Sequence, residues 1–460
     1  MLRREKTFHI KNIDATEGKL LPLIIIYSIP LIISTLVQTL FNAVDIVVLR
    51  YAADNIAVAS VGATSPIVHL VINAFIGLAG GTNVILARYI GAKDDKKANG
   101  TVSTSLISAV FIGIVAAVLG LVLSEKLLEL TNCPPECFEG AMTYLRIYFL
   151  ASPAILVYNY GAGILRTSGD SNRPLIYMVA SGALNVVLNI ILCMVLEQKV
   201  AAVAIATFAS QVLGAVLVVV RLCKVNDCCK LDIRHLKWQP KIFGLIVKYG
   251  LPICFYHAIF PITNVMIASA INSFGPSAIA GSTAASNLEG LLNSITGSFN
   301  IAALTFVGQN LGAKKPDRVK KSVGICLAVS TLLTFAFTVI MCLNIKFLLG
   351  FFVGDDADAI NYALVRVKYL TSIYFIGAMN SVFSGVLQAF GYSFLTTLNS
   401  VSAILVLRII WMSFIFPYFK TFGSIFFCYT VSWCLLWICN VVIMSVVFIR
   451  YRKNKLKSEL

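Results

Sequence analysis

The chain is a succession of apolar stretches about twenty residues or longer, separated by short polar joints. Twelve can be marked: 20–49, 58–87, 101–123, 141–164, 174–196, 200–222, 242–273, 278–308, 322–349, 360–385, 395–418 and 423–449. A helix crosses the hydrocarbon core of a bilayer in about 20 residues, so each stretch predicts one membrane span. Those that exceed this length predict tilt, kinks or extension beyond the bilayer. The runs are continuous and lack the alternation of a membrane barrel. The pattern predicts an all-α integral membrane protein of twelve helices.

Composition agrees. Of 460 residues, 58% are hydrophobic and 13% charged, against roughly 45–50% and about 25% in soluble proteins. Disordered chains are poor in hydrophobics and rich in charge, so disorder is excluded. A water-soluble enzyme is excluded in practice, since too little polar surface is available to cover it.

The net charge of +16 would suggest nucleic acid in a soluble protein. No stretch interleaves basic and aromatic residues, so no nucleic-acid partner is expected. With the N-terminus in the cytoplasm, the joints and tails on that side carry 27 Lys and Arg and the opposite joints five. That asymmetry is the positive-inside pattern. It predicts a multi-pass plasma-membrane protein surrounded by lipid, with both termini cytoplasmic.

Twelve cysteines are scattered mostly within apolar runs, where a thiol behaves as a small hydrophobe. Cys228 and Cys229 have no His at zinc-ligand spacing, and Cys133 and Cys137 sit in a short, proline-stiffened joint. Neither a metal site nor a disulfide is assigned. The polar tail 1–19 lacks the basic-then-apolar layout of a signal peptide. Its His9–Asp14 spacing, known from some acyltransferases, is read as accidental. With no cluster of His, Asp or Glu at one interface and no phosphate loop, no enzyme activity is expected.

The two halves repeat. Tyr27-Ser-Ile-Pro30 corresponds to Tyr249-Gly-Leu-Pro252, Gly91-Ala-Lys93 to Gly312-Ala-Lys314, and Gly163-Ile-Leu-Arg166 to Gly385-Val-Leu-Gln388. The offsets are 222, 221 and 222 residues. Six spans per repeat is an even number, so both repeats enter from the same side and are related by a pseudo-two-fold axis along the membrane normal. The expected layout is a cytoplasmic tail (1–19), an N-lobe of helices 1–6 (20–222), a cytoplasmic linker (223–241), a C-lobe of helices 7–12 (242–449) and a cytoplasmic tail (450–460). Two bundles rocking about a central cleft are a common route to alternating access, so transport is the leading class.

Charged residues inside a membrane are costly and by default functional. Asp45 in helix 1 and Glu289 in helix 8 are the acids away from span ends, and Arg408 in helix 11 is the basic residue near a span centre. Glu289 and Arg408 are expected near mid-membrane, paired or facing a water-filled cavity. Gln38 and Asp45 are seven residues apart and share a helix face, with Asn42 close to it. Pro30, below them, removes a backbone bond and is expected to kink the helix. Asn185 and Asn189 share a face of helix 5, and Thr207 lies mid-way along helix 6. His69 and His257 are read as core residues, and the Gly77–Gly81 cluster as a site of close helix packing.

These residues, in their order and spacing, resemble the multidrug and toxic compound extrusion (MATE) family, particularly its Firmicutes-type branch. The resemblance covers essentially the whole chain. It is carried by Leu40-Phe-Asn-Ala-Val-Asp45, Ala87-Arg-Tyr-Ile-Gly-Ala-Lys93, Gly163-Ile-Leu-Arg-Thr-Ser-Gly-Asp170, Ala284-Ala-Ser-Asn-Leu-Glu-Gly290, Leu304-Thr-Phe-Val-Gly-Gln-Asn-Leu-Gly-Ala313 and Arg408-Ile-Ile-Trp411. It implies a cation site in the N-lobe shared by helices 1, 4, 5 and 6. Asp45, Gln38 and Pro30 match the family's helix 1 positions, Asn159 a helix 4 polar position, Asn185 the helix 5 Asn and Thr207 the helix 6 Thr. Asn189 stands where many members carry a second Asp, which removes one titratable group. Arg50 and Asp54 stand where members commonly have Gly.

The function implied is secondary antiport. H⁺ or Na⁺ binding at the Asp45 site drives export of amphipathic, cationic organic compounds by alternating access, with no cofactor beyond the coupling ion. Glu289 is expected to attract the positive charge of substrate in the cleft, with Arg408 beside it. A monomer is expected. The alternative is a lipid-linked oligosaccharide flippase of the same wider superfamily, which would hold its pyrophosphate with several Arg.

Overall fold

Without water to take up backbone polar groups, an apolar chain in a membrane satisfies them internally, and an unclosed one does so as helix. The computed structural model describes residues 12–459 except Ala53, Asp54, Asn132 and Asp355. It omits the side chains of residues 42, 43, 45–47, 49–52, 55, 260–262, 265 and 454–459. The described residues are helical in every long element. The first half comprises α1 (Leu20–Ala52), α2 (Asn55–Gly91), α3 (Asp95–Leu130), α4 (Pro135–Leu150), α5 (Ser152–Thr167), α6 (Asn172–Val195) and α7 (Lys199–Lys224). The second comprises α8 (Pro240–Asn272), α9 (Pro276–Gly312), α10 (Pro316–Leu343), α11 (Ile345–Val353), α12 (Ala357–Leu370), α13 (Tyr374–Ala389), α14 (Ser393–Ser400), α15 (Leu407–Ile410), α16 (Phe416–Phe419) and α17 (Phe422–Glu459).

Among the described residues, eleven helical segments are long and apolar enough to cross a membrane, or twelve when α4 and α5 are taken as one span bent by 48° at Ala151. The twelve apolar stretches of the sequence thus become twelve spans, at the places read. The breaks are local. A short 3₁₀ turn (Thr371–Ile373) joins α12 to α13, and π-helical segments, Val401–Val406 and Trp411–Ile415, flank the single α-turn of α15. Pro30 does not interrupt α1, which continues through it while the Ser34 hydroxyl donates to its carbonyl at 2.7 Å.

The repeat is visible in the backbone. Lys93 and Lys314, 221 apart, both take φ 55°, and Gly169 and Gly391, 222 apart, take φ 93° and 78°. A left-handed residue closes a helix by letting the next amides turn back onto its last carbonyls. Asp94 and Lys315 make that bond to Tyr89 and Asn310, and Asp170 and Tyr392 make it to Leu165 and Leu387.

The halves meet where the basic joints cluster. Helix α2 packs along α8, and α1 along α9. Glycines permit this approach: a Cβ at Gly77, Gly81, Gly91 or Gly312 would collide with backbone of the opposing half. The expectation of close packing at Gly77–Gly81 is met by Cys254, Ile246 and Gly250 of α8. Each half also lends its first helix to the other's core. Leu20, Ile24 and Tyr27 of α1 bury against Phe299, Phe306, Val382 and Val386, while Ile242 and Ile246 of α8 bury against Leu156, Val218 and Leu222.

Candidate functional site

The basic end is clamped by polar contacts. The Tyr27 hydroxyl donates to the Arg166 carbonyl at 2.9 Å and pairs with the Thr305 hydroxyl at 3.1 Å. Arg88 places Nε and Nη2 on the Ala389 carbonyl, at 2.9 and 2.6 Å. Gln309 donates to the Thr167 carbonyl at 2.7 Å and accepts from the Ala15 amide at 3.2 Å. Arg318 reaches the carbonyls of Ala15, Glu17 and Gly18, each at 2.9 Å. Among the described residues, the hydrogen bonds between the halves all lie at this end, so the two bundles are latched on their basic side.

In the first half, helix spacing brings part of the expected cation site together. The Asn189 amide donates to Asn185 Oδ1 at 3.2 Å, the Asn185 amide to Thr207 Oγ1 at 3.4 Å, and the Thr207 hydroxyl to the Val203 carbonyl at 3.0 Å. Asn185 and Asn189 are buried, which in an apolar span makes this chain of oxygens and amides a costly feature to keep. The structure does not join Asn159 to it: that amide donates to the Ile155 carbonyl of its own helix at 2.8 Å. Gln38 is exposed. The side chains of Asn42, Asp45 and Arg50, and all of Asp54, lie outside the described residues. Helix α1 nevertheless packs closely on α6, with the Phe41 ring against Gly182, one turn before Asn185.

In the second half, Glu289 is buried on α9 and meets Arg366 of α12. Arg366 Nε and Nη2 donate to the two carboxylate oxygens at 2.9 and 2.7 Å, and Nη1 donates to the Ser282 hydroxyl at 2.7 Å. The Tyr374 hydroxyl donates to the Glu289 carbonyl at 3.3 Å. A bidentate Arg–carboxylate pair is strong and directional. Glu289 is therefore neutralised by Arg366, not by Arg408 as the sequence suggested. Arg366 lies only six residues into the apolar stretch beginning at 360, where a charge reads from sequence as an interfacial residue. Arg408 stands apart, on the α15 turn, stacked 3.7 Å from the Tyr429 ring with Nη1 on the Thr263 hydroxyl at 3.0 Å.

The linker holds one cluster that spacing did not disclose. The ligand atoms of Asp227, Cys228 and Cys229 lie within 4.8 Å of one another. Asp227 already accepts from the Cys229 amide at 2.8 Å and the Asn12 side chain at 3.2 Å, and burial raises its pKa.

A family model, MatE, matches this chain twice, over residues 30–191 and 252–413. The chain belongs to the MatE family. The two MatE matches start 222 residues apart and end 222 residues apart, the same register as the motif repeat and the backbone repeat. Among curated relatives, the probable multidrug resistance protein YpnP of Bacillus subtilis is 27% identical, covering 83% of this chain and 85% of its own. The multidrug export protein MepA of Staphylococcus saprophyticus is 22% identical, with 94% of this chain and 95% of its own covered. Among solved structures, an outward-facing multidrug resistance MATE transporter superposes with a TM-score of 0.88 at 22% identity, covering 96% of this chain and 99% of that one. The motif-based resemblance to MatE proteins and their twelve-span fold is thereby confirmed.

Proposed function

We propose that this protein is a secondary antiporter of the bacterial plasma membrane that exports amphipathic organic compounds in exchange for H⁺ or Na⁺. The observation that carries the reading is the one-sided latch: two similarly built bundles joined by hydrogen bonds at their basic ends. By the positive-inside asymmetry that end is cytoplasmic, as are both termini. The lobes are 20–222 and 242–449, joined by the linker 223–241. Breaking the latch and closing the opposite side gives the alternate state, and ion or substrate shifts the balance only by binding the two states unequally.

Asp45 is the coupling acid in this reading. The Asn189–Asn185–Thr207 chain on α6 and α7 offers neutral oxygens, the ligand type that a hard cation such as Na⁺ takes. A proton would be held by Asp45 itself. The relatives' names, multidrug resistance and multidrug export proteins, support small organic substrates. A cationic substrate was the expectation attached to Glu289; the Arg366 pair removes that attraction, so the substrate is specified here as amphipathic. The flippase alternative needs several free Arg, and in the second half Arg366 is already held by Glu289.

The test is dye efflux from everted vesicles, with proton and sodium gradients imposed separately. Export that follows one gradient and stops when that gradient is collapsed supports antiport. Export that is indifferent to both gradients overturns it.

A further inference from the structure

Arg408 is 1% exposed and heads the fully buried side chains by size. It sits on the four-residue α15, between two π-helical segments. Such wide turns are rare and occur frequently at functional sites. Its Nη1 donates to the Thr263 hydroxyl at 3.0 Å, and the face of its guanidinium lies on the Tyr429 ring, 3.7 Å from the centroid. Nε and Nη2 have no hydrogen-bond partner among the described residues.

Those two nitrogens form one edge of the guanidinium. It is the edge that Arg366 uses to hold the Glu289 carboxylate, through Nε and Nη2. In Arg366 the edge is filled by an anion, and in Arg408 it is bare. Away from helix ends, the acid that the described spans of the second half provide is Glu289, and both its oxygens are taken. Buried charge without a counter-charge is costly, and a planar fork of N–H donors matches a carboxylate.

We propose that the Nε–Nη2 edge of Arg408 is a binding site for a monoanion, either the carboxylate of an organic substrate or an inorganic anion. The organic case deepens the transport reading above and rests on it; the site itself does not. Tyr429 covers the guanidinium face and Thr263 holds Nη1, which leaves the Nε–Nη2 edge to the anion. The Tyr429 hydroxyl donates to Asn264 Oδ1 at 3.2 Å, and Asn264 is exposed. One bare fork suits a single negative charge better than a lipid pyrophosphate.

The experiment is equilibrium binding to the purified full chain in lipid nanodiscs, with no gradient present. Failure of antiport and failure of this site are thereby distinguishable. Calorimetry compares 2-naphthylacetate with its uncharged amide, and thermal unfolding compares chloride with the bulky sulfonate 2-(N-morpholino)ethanesulfonate at fixed ionic strength. At least tenfold tighter binding of the acid than the amide, lost in Arg408→Gln and partly kept in Arg408→Lys, assigns the site to an organic carboxylate. Saturable stabilisation by chloride, lost in Arg408→Gln, assigns it to an inorganic anion. If Arg408→Gln does not fold, Arg408→Lys, which keeps the charge and loses the planar fork, carries the test: a weakened preference supports the site, and an undiminished one overturns it. Equal binding of acid and amide together with no saturable chloride effect overturns the proposal, as do effects unchanged in Arg408→Gln.

Discussion

Arg366 and Glu289 share two hydrogen bonds across α12 and α9, at 2.9 and 2.7 Å. Removing one member of a buried pair leaves a bare charge and costs about 3–5 kcal/mol, whereas replacing both with apolar residues of similar size is often neutral. Arg366→Met alone should therefore lower thermal stability far more than Arg366→Met combined with Glu289→Met. Unfolding in detergent reads the difference. Equal destabilisation by single and double variants would show that the pair is not what holds these helices together.

The same pair predicts how the cleft treats charge. Glu289→Gln is expected to lower stability without shifting the ratio of export rates between a cationic dye and a neutral analogue. A selective loss of cation export, measured in the same vesicles, would return to Glu289 the role first read from sequence.

The latch should be sensitive to a single methyl group. At Gly91 an added Cβ falls on the Gln309 carbonyl, and at Gly312 on the Arg88 carbonyl. Overpacking of this kind costs about 1–3 kcal/mol. In Gly91→Ala it should be relieved by parting the halves at the basic end. Spin labels at Lys96 and Lys320, one on each half, should report a longer distance in Gly91→Ala than in the parent. An unchanged distance distribution counts against a latch that opens.

The Asn pair and Asn159 should behave differently. Asn185→Ala removes the acceptor of the Asn189 bond and the donor to Thr207, a loss of about 1–3 kcal/mol for buried groups. Asn159 bonds only its own helix in the described structure. Ion-driven export should thus fall about tenfold or more in Asn185→Ala and by less than about twofold in Asn159→Ala. Comparable losses would place Asn159 in the coupling site after all.

The twelve spans were legible because an apolar run of twenty residues has few fates other than crossing a membrane. The repeat was legible because left-handed turns at Lys93 and Lys314 follow matching Gly-Ala-Lys motifs. The Asn185–Asn189 contact follows from four-residue spacing on one helix. Partnerships across helices were not legible in this way. Arg366 and Glu289 are 77 residues apart, and no spacing rule says which face of α12 meets α9. Nor could the sequence show that each half borrows the other's first helix, since both helices are simply apolar. The π-helical turns around Arg408 carry no proline or glycine signal, so its bare edge emerged only from the fold.

Coupling through Asp45 is tested most directly by running the exchange backwards. In proteoliposomes with no ion gradient, a steep gradient of a transported dye should drive H⁺ or Na⁺ uphill in the opposite direction, read by a pH-sensitive or sodium-sensitive fluorophore inside. The account predicts such counter-movement in the parent protein and none in Asp45→Asn, with the variant still able to bind dye. Uphill ion movement of undiminished size in Asp45→Asn would contradict it.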